Sequence, residues 1–250
     1  MNLKDIKEFS KQISANIEFD KNLKQTNWFN IGGKCKIFFK PSSLTELKNF
    51  LKLYNNRGKI FIIGAGSNVL FSDEDYEGVV IKLGKMFSNI SLKDETTIIA
   101  GSSSTDKQLS EFAKNNGISG FEFLSCIPGS IGGGIKMNAG CFKNEFKDIL
   151  LSVQAIDMNG NIRAINASKI KFDYRKTDFS KDLIFLSATF RGKKGNIQLI
   201  EKQINEMKVK KNLAQPSKIK TSGSTFKNPV NQTKKKVWEL IKESVPLDTK

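Results

Sequence analysis

The chain has 250 residues, with 41 Lys or Arg against 25 Asp or Glu, so its formal net charge is +16. This length permits a substantial core divided between two or three lobes. Because the chain contains no histidine, Ser-His-Asp catalysis, histidine-bound zinc and a histidyl-flavin bond are excluded. The lysines are spread along the whole sequence and only four arginines occur, which argues against nucleic-acid binding despite the positive charge.

The three cysteines form neither a C-x-x-C pair nor an even disulfide framework, which favours a reducing compartment. No apolar run approaches the roughly 20 residues needed to span a bilayer. No tight cluster of acidic residues suggests a metal site. We therefore expect a cytoplasmic protein without membrane insertion or a bound metal, and a core rich in its 19 phenylalanines.

The first third of the chain predicts a small mixed α/β lobe. Leu3, Ile6, Phe9 and Ile13 lie on one helical face, so the chain should begin with a packed amphipathic helix. A second helix is expected over residues 43–55, capped by Ser42 or Ser43. The strands expected in this lobe cover residues 36–40, 59–63, 78–83 and 96–100.

The middle of the chain alternates again between helices and strands. Residues 105–116 read as a helix that ends at Gly117. Asn159-Gly160 lies between two apolar runs, 151–158 and 162–166, which indicates a hairpin. A further strand over 184–191 and a helix over 196–211 follow, and we expect a domain boundary in or near this last helix.

The most informative stretch runs from Leu124 to Gly134 and closes with Met137-Asn138-Ala139-Gly140. Glycine leaves no Cβ in the way and reaches conformations that other residues avoid, so successive N–H groups can converge on one anion. Pro128 should stiffen the entry of the loop, and Ser130 can add a hydroxyl donor. The alternative is a glycine-rich turn that binds no ligand.

A second small-residue loop follows the short apolar strand over residues 59–63. An apolar strand that runs into a small polar loop is typical of a phosphate or dinucleotide site. It is not a Rossmann fingerprint, because no third glycine opens a helix at the required spacing. The loop is Gly64-Ala65-Gly66-Ser67-Asn68.

Taken together, five segments resemble the UDP-N-acetylenolpyruvoylglucosamine reductase family, flavoenzymes of peptidoglycan precursor synthesis. The resemblance covers residues 20 to 250, and the five segments occur in the family's order. They are Asn27-Trp28-Phe29-Asn30-Ile31-Gly32-Gly33, the loop at 64–68, the loop at 127–133 with Asn138-Ala139-Gly140, Asp173-Tyr174-Arg175, and Gly223-Ser224-Thr225-Phe226-Lys227-Asn228-Pro229.

The resemblance implies an α+β fold: a two-lobed FAD-binding domain of the vanillyl-alcohol oxidase type, followed by a truncated α/β substrate-binding domain. It implies a lead-in over residues 1–27, the FAD domain over 28–192, and a linker helix with the incomplete substrate domain over 193–250. FAD should bind non-covalently between the lobes, with NADPH as hydride donor. The residues expected at FAD are Gly64, Ala65, Gly66, Ser67, Asn68, Gly101, Ser125, Ile127, Pro128, Gly129, Ser130, Gly132, Gly133, Ala139 and Gly140. Gly32 and Gly33 could instead form a turn before the first strand.

Two catalytic residues also follow from the resemblance. Arg175 should hold the carboxylate of an enolpyruvyl UDP-sugar, because a guanidinium stays ionised and can grip it with two hydrogen bonds. Ser224 should donate the proton. Lys227 and Asn228 are expected at the UDP-sugar, and Tyr174 either orients the substrate or packs.

The family pattern continues beyond Lys250 and supplies a catalytic glutamate there. We therefore expect residues 212–250 to be incompletely packed and turnover to be low. Glu239 and Glu243 should face solvent rather than replace that glutamate. A monomer is expected. Two other functions stay open, another oxidoreductase of the same flavin superfamily and a non-catalytic nucleotide-binding module.

Overall fold

The computed structural model describes residues 3–55, 57–214, 226–229 and 232–244. Its first lobe is built on a four-stranded sheet with the strand order β1-β2-β4-β3. Strands β2, β4 and β3 are parallel, and β1 is antiparallel to β2. The elements are α1 (Leu3–Gln12), β1 (Asn16–Asn22), β2 (Lys34–Lys40), α2 (Leu44–Tyr54), β3 (Lys59–Ile62) and β4 (Tyr76–Ile81).

Helices α1 and α2 cover one face of this sheet. Helix α2 begins where predicted, because the Ser43 side chain accepts a hydrogen bond from the Glu46 N–H. It ends at Asn55, which adopts the left-handed conformation. Phe50 of α2 is fully buried and stacks on Phe39 at a ring distance of 4.3 Å. Ile6 of α1 is buried in the same cluster, which confirms the predicted amphipathic helix.

The second lobe is built on a five-stranded antiparallel sheet with the order β11-β10-β14-β6-β5. Helices α3 and α4 lie at this lobe, and α5 packs its buried Ile200 and Ile204 inward. The elements are β5 (Ile90–Leu92), β6 (Thr97–Gly101), α3 (Asp106–Asn115), β7 (Ile118–Ser119), α4 (Ile131–Lys136), β8 (Gly140–Cys141), β9 (Asn144–Glu145), β10 (Leu150–Asp157), β11 (Ile162–Asn166), β12 (Phe172–Asp173), β13 (Lys176–Thr177), β14 (Leu183–Arg191), β15 (Lys193–Lys194) and α5 (Ile197–Ala214). A separate helix, α6, covers Val237–Ser244.

One strand was expected in the wrong lobe. The sequence grouped residues 96–100 with the parallel strands, but β6 pairs with β14 of the second sheet, with Gly101 opposite Ser187. Strand β6 is buried almost throughout, so its apolar pattern alone cannot tell which sheet it joins.

The predicted hairpin between β10 and β11 is confirmed. Its loop is longer than an Asn-Gly pair alone, because the Gly160 N–H bonds to the Asp157 carbonyl at 3.0 Å and Gly160 has a φ of +85°. This is a three-residue loop with glycine in the left-handed position. The Asp157 carboxylate stabilises it by accepting from the Asn159 and Asn161 N–H groups.

The core of the second lobe is rich in phenylalanine, as the composition predicted. Phe146 is fully buried between Phe123 and Phe190, at ring distances of 6.4 and 6.0 Å. Edge-to-face ring pairs of this kind add to the free energy of burial. Within the described ranges, no helix is long and apolar enough to cross a membrane.

Strands β8 and β9 are joined by a tight turn formed by Phe142 and Lys143. Both residues have positive φ, of 51° and 68°, as a type I′ turn requires. Neither residue type favours this conformation, since a Cβ crowds the following carbonyl there. The turn therefore carries backbone strain at two consecutive positions.

We predict that Lys143→Gly stabilises the protein by about 0.5–1 kcal/mol, because glycine removes the strain and loses only part of that gain to backbone entropy. Lys59→Gly in β3 is the matched control, since Lys59 is an exposed strand lysine without positive φ, and this change should destabilise. Urea unfolding of both variants measures the difference. Equal destabilisation by both changes would show that the turn is not strained.

Candidate active site

The two glycine-rich loops, one from each lobe, are in direct contact. The Ser67 hydroxyl donates to the Pro128 carbonyl at 2.5 Å. A Cβ placed on Gly64 would lie 2.2 Å from the Ser130 Oγ, so a larger residue there would have to displace the Ser130 hydroxyl. The structure thus brings together the loops at 64–68 and 127–133 that the sequence assigned to one ligand.

The segment at residues 26–28 packs against the first glycine-rich loop. Gly66 has a φ of +72°, and a Cβ on it would lie 2.2 Å from the Thr26 carbonyl oxygen. The Trp28 N–H donates to the Gly66 carbonyl at 3.0 Å. The segment at 26–28 therefore fixes the backbone of the loop, although it lies far from the loop in the sequence. Gly32 and Gly33 lie in the irregular segment just before β2, packed on Phe71 and on the backbone of Asp73 and Glu74.

The second loop leads into α4. Ser130 is the N-cap residue, but its hydroxyl accepts no hydrogen bond from this helix and lies instead beside Gly64. The first two amides of α4 are already used: Ile131 N–H donates to the Ser104 carbonyl and Gly132 N–H to the Ser102 carbonyl, each at 2.9 Å. The Gly132 N–H is therefore not free to bind a ligand, but the missing side chain would let a ligand lie close to the Gly132 backbone.

Several residues expected near FAD also have structural partners. Gly101 packs so closely that its Cβ would meet the Phe87 carbonyl oxygen at 2.1 Å. The Ser125 hydroxyl donates to the Glu122 carbonyl at 2.7 Å. Ile127 and Ala139 pack against the core of the second lobe. Contacts within the protein are therefore enough to explain the glycine at 101 and the serine at 125.

Asp106, which sequence reasoning missed, lies directly behind the second loop. It is fully buried, and neither carboxylate oxygen has a hydrogen-bond partner in the described part of the chain. A Cβ on Gly129 would lie 2.6 Å from its Oδ2. Burial raises the pKa of Asp106 to about 8, so the side chain is a neutral acid at pH 7. Asp106 is the first residue of α3, where an acidic side chain is common, so the sequence pattern gives no sign of its burial.

Arg175 lies in the two-residue turn between β12 and β13, with a φ of +57°. Its guanidinium donates to the Gly140 carbonyl at 2.7 Å and lies 5.1 Å from the centre of the Tyr174 ring. The structure thus places Arg175 against Ala139-Gly140, which the sequence expected at the flavin. Tyr174 packs on the arginine.

Two of the three cysteines, Cys35 and Cys141, have a raised pKa. Burial raises the pKa of Cys141 above its usual value, and the neighbouring Cys126 acts in the same direction. Burial likewise raises the pKa of Cys35 to about 11. All three cysteines are free thiols. A thiol of raised pKa is a poor nucleophile, so neither Cys35 nor Cys141 is an activated thiol.

The C-terminal residues of the predicted site are only partly described. Ser224 lies outside the described residues. Lys227 is exposed, and the Asn228 side chain accepts from the Val237 N–H at 3.0 Å, at the start of α6. Glu239 accepts from the Lys236 N–H, and Glu243 pairs with Lys235 at 2.8 Å. These contacts give both glutamates local structural roles.

Comparison with known proteins identifies the family. The model of an FAD-binding domain matches residues 35–166, more than half of the chain. The UDP-N-acetylenolpyruvoylglucosamine reductase of Pelagibacter ubique is 61% identical over 248 residues, which are 99% of this chain and 82% of the relative. The chain belongs to the UDP-N-acetylenolpyruvoylglucosamine reductase family. The enzyme of that name from Rickettsia bellii is 46% identical and shares 89% of this chain and 72% of its own length.

Solved structures agree with the UDP-N-acetylenolpyruvoylglucosamine reductase assignment. The UDP-N-acetylenolpyruvylglucosamine reductase of Thermus caldophilus superposes with a TM-score of 0.78 at 27% identity, over 92% of this chain and 79% of that one. The BBE-like 1 protein of Physcomitrella patens has a TM-score of 0.55 at 17% identity, over 75% of this chain and 44% of that one, and shares the fold alone. The predicted fold class and FAD as cofactor are confirmed.

The glycine cradle fits such a cofactor. Three glycines, Gly64, Gly66 and Gly129, lie where a Cβ would collide with a neighbouring atom. Backbone that lies this close to its neighbours on one side offers a side-chain-free surface on the other, as a pyrophosphate needs. Within the described residues, no group of three or more metal-ligating side chains accompanies it.

We predict that Asp106→Asn stabilises the protein increasingly as the pH rises from about 4 to about 8, reaching several degrees in Tm. The unfolded carboxyl has the ordinary pKa of 3.8, and the folded one a pKa of about 8. Folding therefore takes up a proton in this window, and stability is lost as the pH rises through it. Thermal melts of both proteins across this range measure the difference.

Asp94→Asn serves as a control of opposite sign. A hydrogen bond from the Thr96 N–H lowers the pKa of Asp94, so this change should cost stability at neutral pH and have no effect in acid. A Tm difference for Asp106→Asn that does not vary with pH would show that Asp106 is ionised in the folded protein.

Proposed function

We propose that this chain reduces the enolpyruvyl group of UDP-N-acetylglucosamine enolpyruvate to give UDP-N-acetylmuramate, with NADPH as the hydride donor. The observation that carries the proposal is the contact between the two glycine-rich loops, Ser67 Oγ to Pro128 O at 2.5 Å, in a member of this reductase family. When bound, FAD supplies hydride transfer between the nicotinamide and the substrate. The remaining chemistry belongs to the side chains of the chain.

The proposed cofactor site consists of the loops at 64–68 and 127–133. The Ser130 hydroxyl, which does not cap α4, is available to donate to a phosphate oxygen. Asn68, Pro128 and Gly133 are the exposed members of the two loops, so they form the surface that a cofactor would cover. Burying these residues under the cofactor excludes water from the reacting atoms.

Arg175 is the proposed electrophilic group. Hydride addition to the terminal vinyl carbon leaves negative charge on the carbon beside the substrate carboxylate. A guanidinium stabilises that enolate-like charge, because its paired hydrogen bonds strengthen as charge develops. The bond from Arg175 to the Gly140 carbonyl holds the guanidinium at the end of the flavin segment while leaving further N–H donors for the substrate.

Ser224 is the proposed proton donor, on the evidence of the segment from Gly223 to Pro229. A carbanion next to a carboxylate is basic enough to take a hydroxyl proton when the two are held in hydrogen-bond contact. Lys227 is proposed to meet the diphosphate of the UDP-sugar. Asn228 is proposed to contact the same ligand, although its Oδ1 is engaged with α6.

The same proposal includes the organisation of the protein. We place the FAD domain at residues 28–192 and the substrate-binding part at 193–250, in a cytoplasmic monomer. The strand β1 within residues 1–27 extends the sheet of the first lobe, so this lead-in folds with the FAD domain.

The decisive experiment follows the visible absorbance of the flavin under anaerobic conditions. NADPH added to the FAD-loaded protein should bleach the absorbance, and the enolpyruvyl UDP-sugar should restore it with formation of UDP-N-acetylmuramate. Bleaching without recovery would indicate another oxidoreductase of the same superfamily. A bound flavin that NADPH never bleaches would indicate a nucleotide-binding module without catalysis.

We predict that Gly133→Ala separates cofactor binding from stability. Within the protein a Cβ on Gly133 meets only the Ser130 Oγ, at an ordinary 3.5 Å, so alanine in α4 should stabilise the flavin-free form by about 0.5–1 kcal/mol. The added methyl should weaken FAD binding tenfold or more, because it enters the cofactor surface. Flavin fluorescence titration and thermal melts measure the two effects.

Gly66→Ala provides the comparison, since the clash with Thr26 and the positive φ should lower both stability and FAD affinity. Unchanged FAD affinity in Gly133→Ala would remove Gly133 from the cofactor site.

We predict that Arg175→Lys and Ser224→Ala slow reoxidation of the reduced flavin by the enolpyruvyl substrate roughly 10²-fold or more. Their reduction by NADPH should change little, because neither side chain is proposed to act on the nicotinamide. Stopped-flow measurement of each half-reaction checks this separation. Arg163→Lys, which alters an arginine paired with Asp157 at 2.9 Å, is the control and should leave both rates unchanged.

A further inference from the structure

Asn138 ends helix α4 in a Schellman motif. The Ala139 N–H bonds to the Gly134 carbonyl at 2.8 Å, and the Asn138 N–H bonds to the Ile135 carbonyl at 3.1 Å. Asn138 has a φ of +40°, the left-handed conformation that this motif requires. Glycine is the usual residue there, and asparagine is the next best.

The side chain of Asn138 is completely buried, and its three hydrogen bonds go to two different segments, the stretch at Glu145–Lys147 and the end of β12 at Asp173. Its Nδ2 donates to the Glu145 Oε2 at 2.9 Å and to the Asp173 carbonyl at 3.1 Å. Its Oδ1 accepts from the Lys147 N–H at 3.1 Å. A neutral amide suits this position, because the side chain at 138 has to donate two hydrogen bonds and accept one.

These bonds enclose the segment that Arg175 touches. Asp173 is the last residue of β12, immediately before the Tyr174-Arg175 turn, and Gly140 lies two residues after Asn138. The Glu145 side chain packs against Gly140, since a Cβ on that glycine would lie 2.8 Å from the Glu145 Cγ. The guanidinium of Arg175 then reaches the Gly140 carbonyl at 2.7 Å.

Two further contacts tie the other side of the arginine hairpin to α4. The Thr177 hydroxyl donates to the Lys136 carbonyl at 2.9 Å. The Lys136 Nζ donates to the Phe179 carbonyl at 2.8 Å. The Arg175 hairpin is thus bonded to the C-terminal end of α4, the helix that follows the second glycine-rich loop. On β12, the strand that leads into the Arg175 turn, the bond from Asn138 reaches the Asp173 carbonyl, two residues before Arg175.

We propose that Asn138 is a positioning residue that fixes the Arg175 hairpin relative to the flavin segment Ala139-Gly140. The inference rests on the proposed function, because Arg175 is the group whose position matters. Asn138 itself is buried and touches neither substrate nor cofactor. It acts through the Asp173 carbonyl and through Glu145.

Asn138→Asp is the most informative variant. The change keeps the size of the side chain, yet it directs an oxygen at the Glu145 carboxylate and the Asp173 carbonyl in place of the amide N–H groups. Reoxidation of reduced flavin by the enolpyruvyl substrate should slow at least tenfold, and KM for that substrate should rise. Reduction by NADPH and affinity for FAD should stay within about threefold of the parent protein, since the two glycine loops are unchanged.

A readout without catalysis tests the same inference directly. Amide hydrogen exchange of residues 172–177 should accelerate at least tenfold in Asn138→Asp, whereas exchange in β10 and β14 should not change. This measurement is made on the flavin-loaded protein and needs no substrate. A parent protein whose flavin the substrate never reoxidises would therefore refute the proposed function and leave the exchange experiment able to support or overturn the role of Asn138.

Two companion variants sharpen the test. Asn144→Asp is the matched control, because Asn144 lies in the neighbouring hairpin and is exposed, and its side chain bonds within the described part of the chain only to the Phe142 carbonyl, at 3.1 Å. This variant should match the parent protein. Adding Glu145→Gln to Asn138→Asp supplies an amide donor opposite the new carboxylate and should recover part of the lost reoxidation rate.

Slower exchange or no change at residues 172–177 in Asn138→Asp would overturn the proposal. So would an equal loss of both half-reactions without rescue by Glu145→Gln, since that pattern describes general loss of the fold.

Discussion

The contact between two side-chain-poor loops constrains the rest of this molecule. Ser67 and Pro128 come from loops of different lobes, and the Ser67 hydroxyl donates to the Pro128 carbonyl at 2.5 Å. Close packing around the first loop also depends on missing Cβ atoms, because a Cβ on Gly64 or Gly66 would lie 2.2 Å from a neighbouring oxygen. Each lobe must therefore hold its loop rigidly, and the supporting contacts at Thr26 and Ser102 serve that purpose.

The buried Asp106 behind the second loop lowers the stability of the folded protein. Asp106 is buried without a hydrogen-bond partner among the described residues, and burying an unpaired carboxyl is unfavourable. The side chain packs against Gly129, where a Cβ would lie 2.6 Å from the Asp106 Oδ2. Features of this kind, which lower stability next to a site, are common where function and not packing decides the residue.

Local signals made much of the fold predictable. Ser43 and Gly117 mark helix ends through capping and left-handed conformations, and these depend on neighbouring residues alone. Strand β1 was missed because its residues are only partly buried and show no clear alternation. The lobe of β6 was wrong because pairing with β14 depends on residues far along the chain.

The candidate site shows the same division. The glycine loops and Arg175 stand out as motifs, whereas Asp106 and Asn138 look ordinary in the sequence. Their importance comes from burial and from partners in other segments, Gly129 for the first and Asp173 for the second. Only the folded chain brings those partners together.

The pairing of β6 with β14 also sets the order in which the protein can mature. The first amides of α4 bond to the Ser102 and Ser104 carbonyls, and the Ser102 hydroxyl bonds to the Phe185 carbonyl at 2.6 Å. Residues 102–182 must close into a large loop before these bonds coexist, and such long-range closure is slow. During synthesis, the second glycine-rich loop therefore reaches its fully supported position only after Phe185 of β14 has left the ribosome.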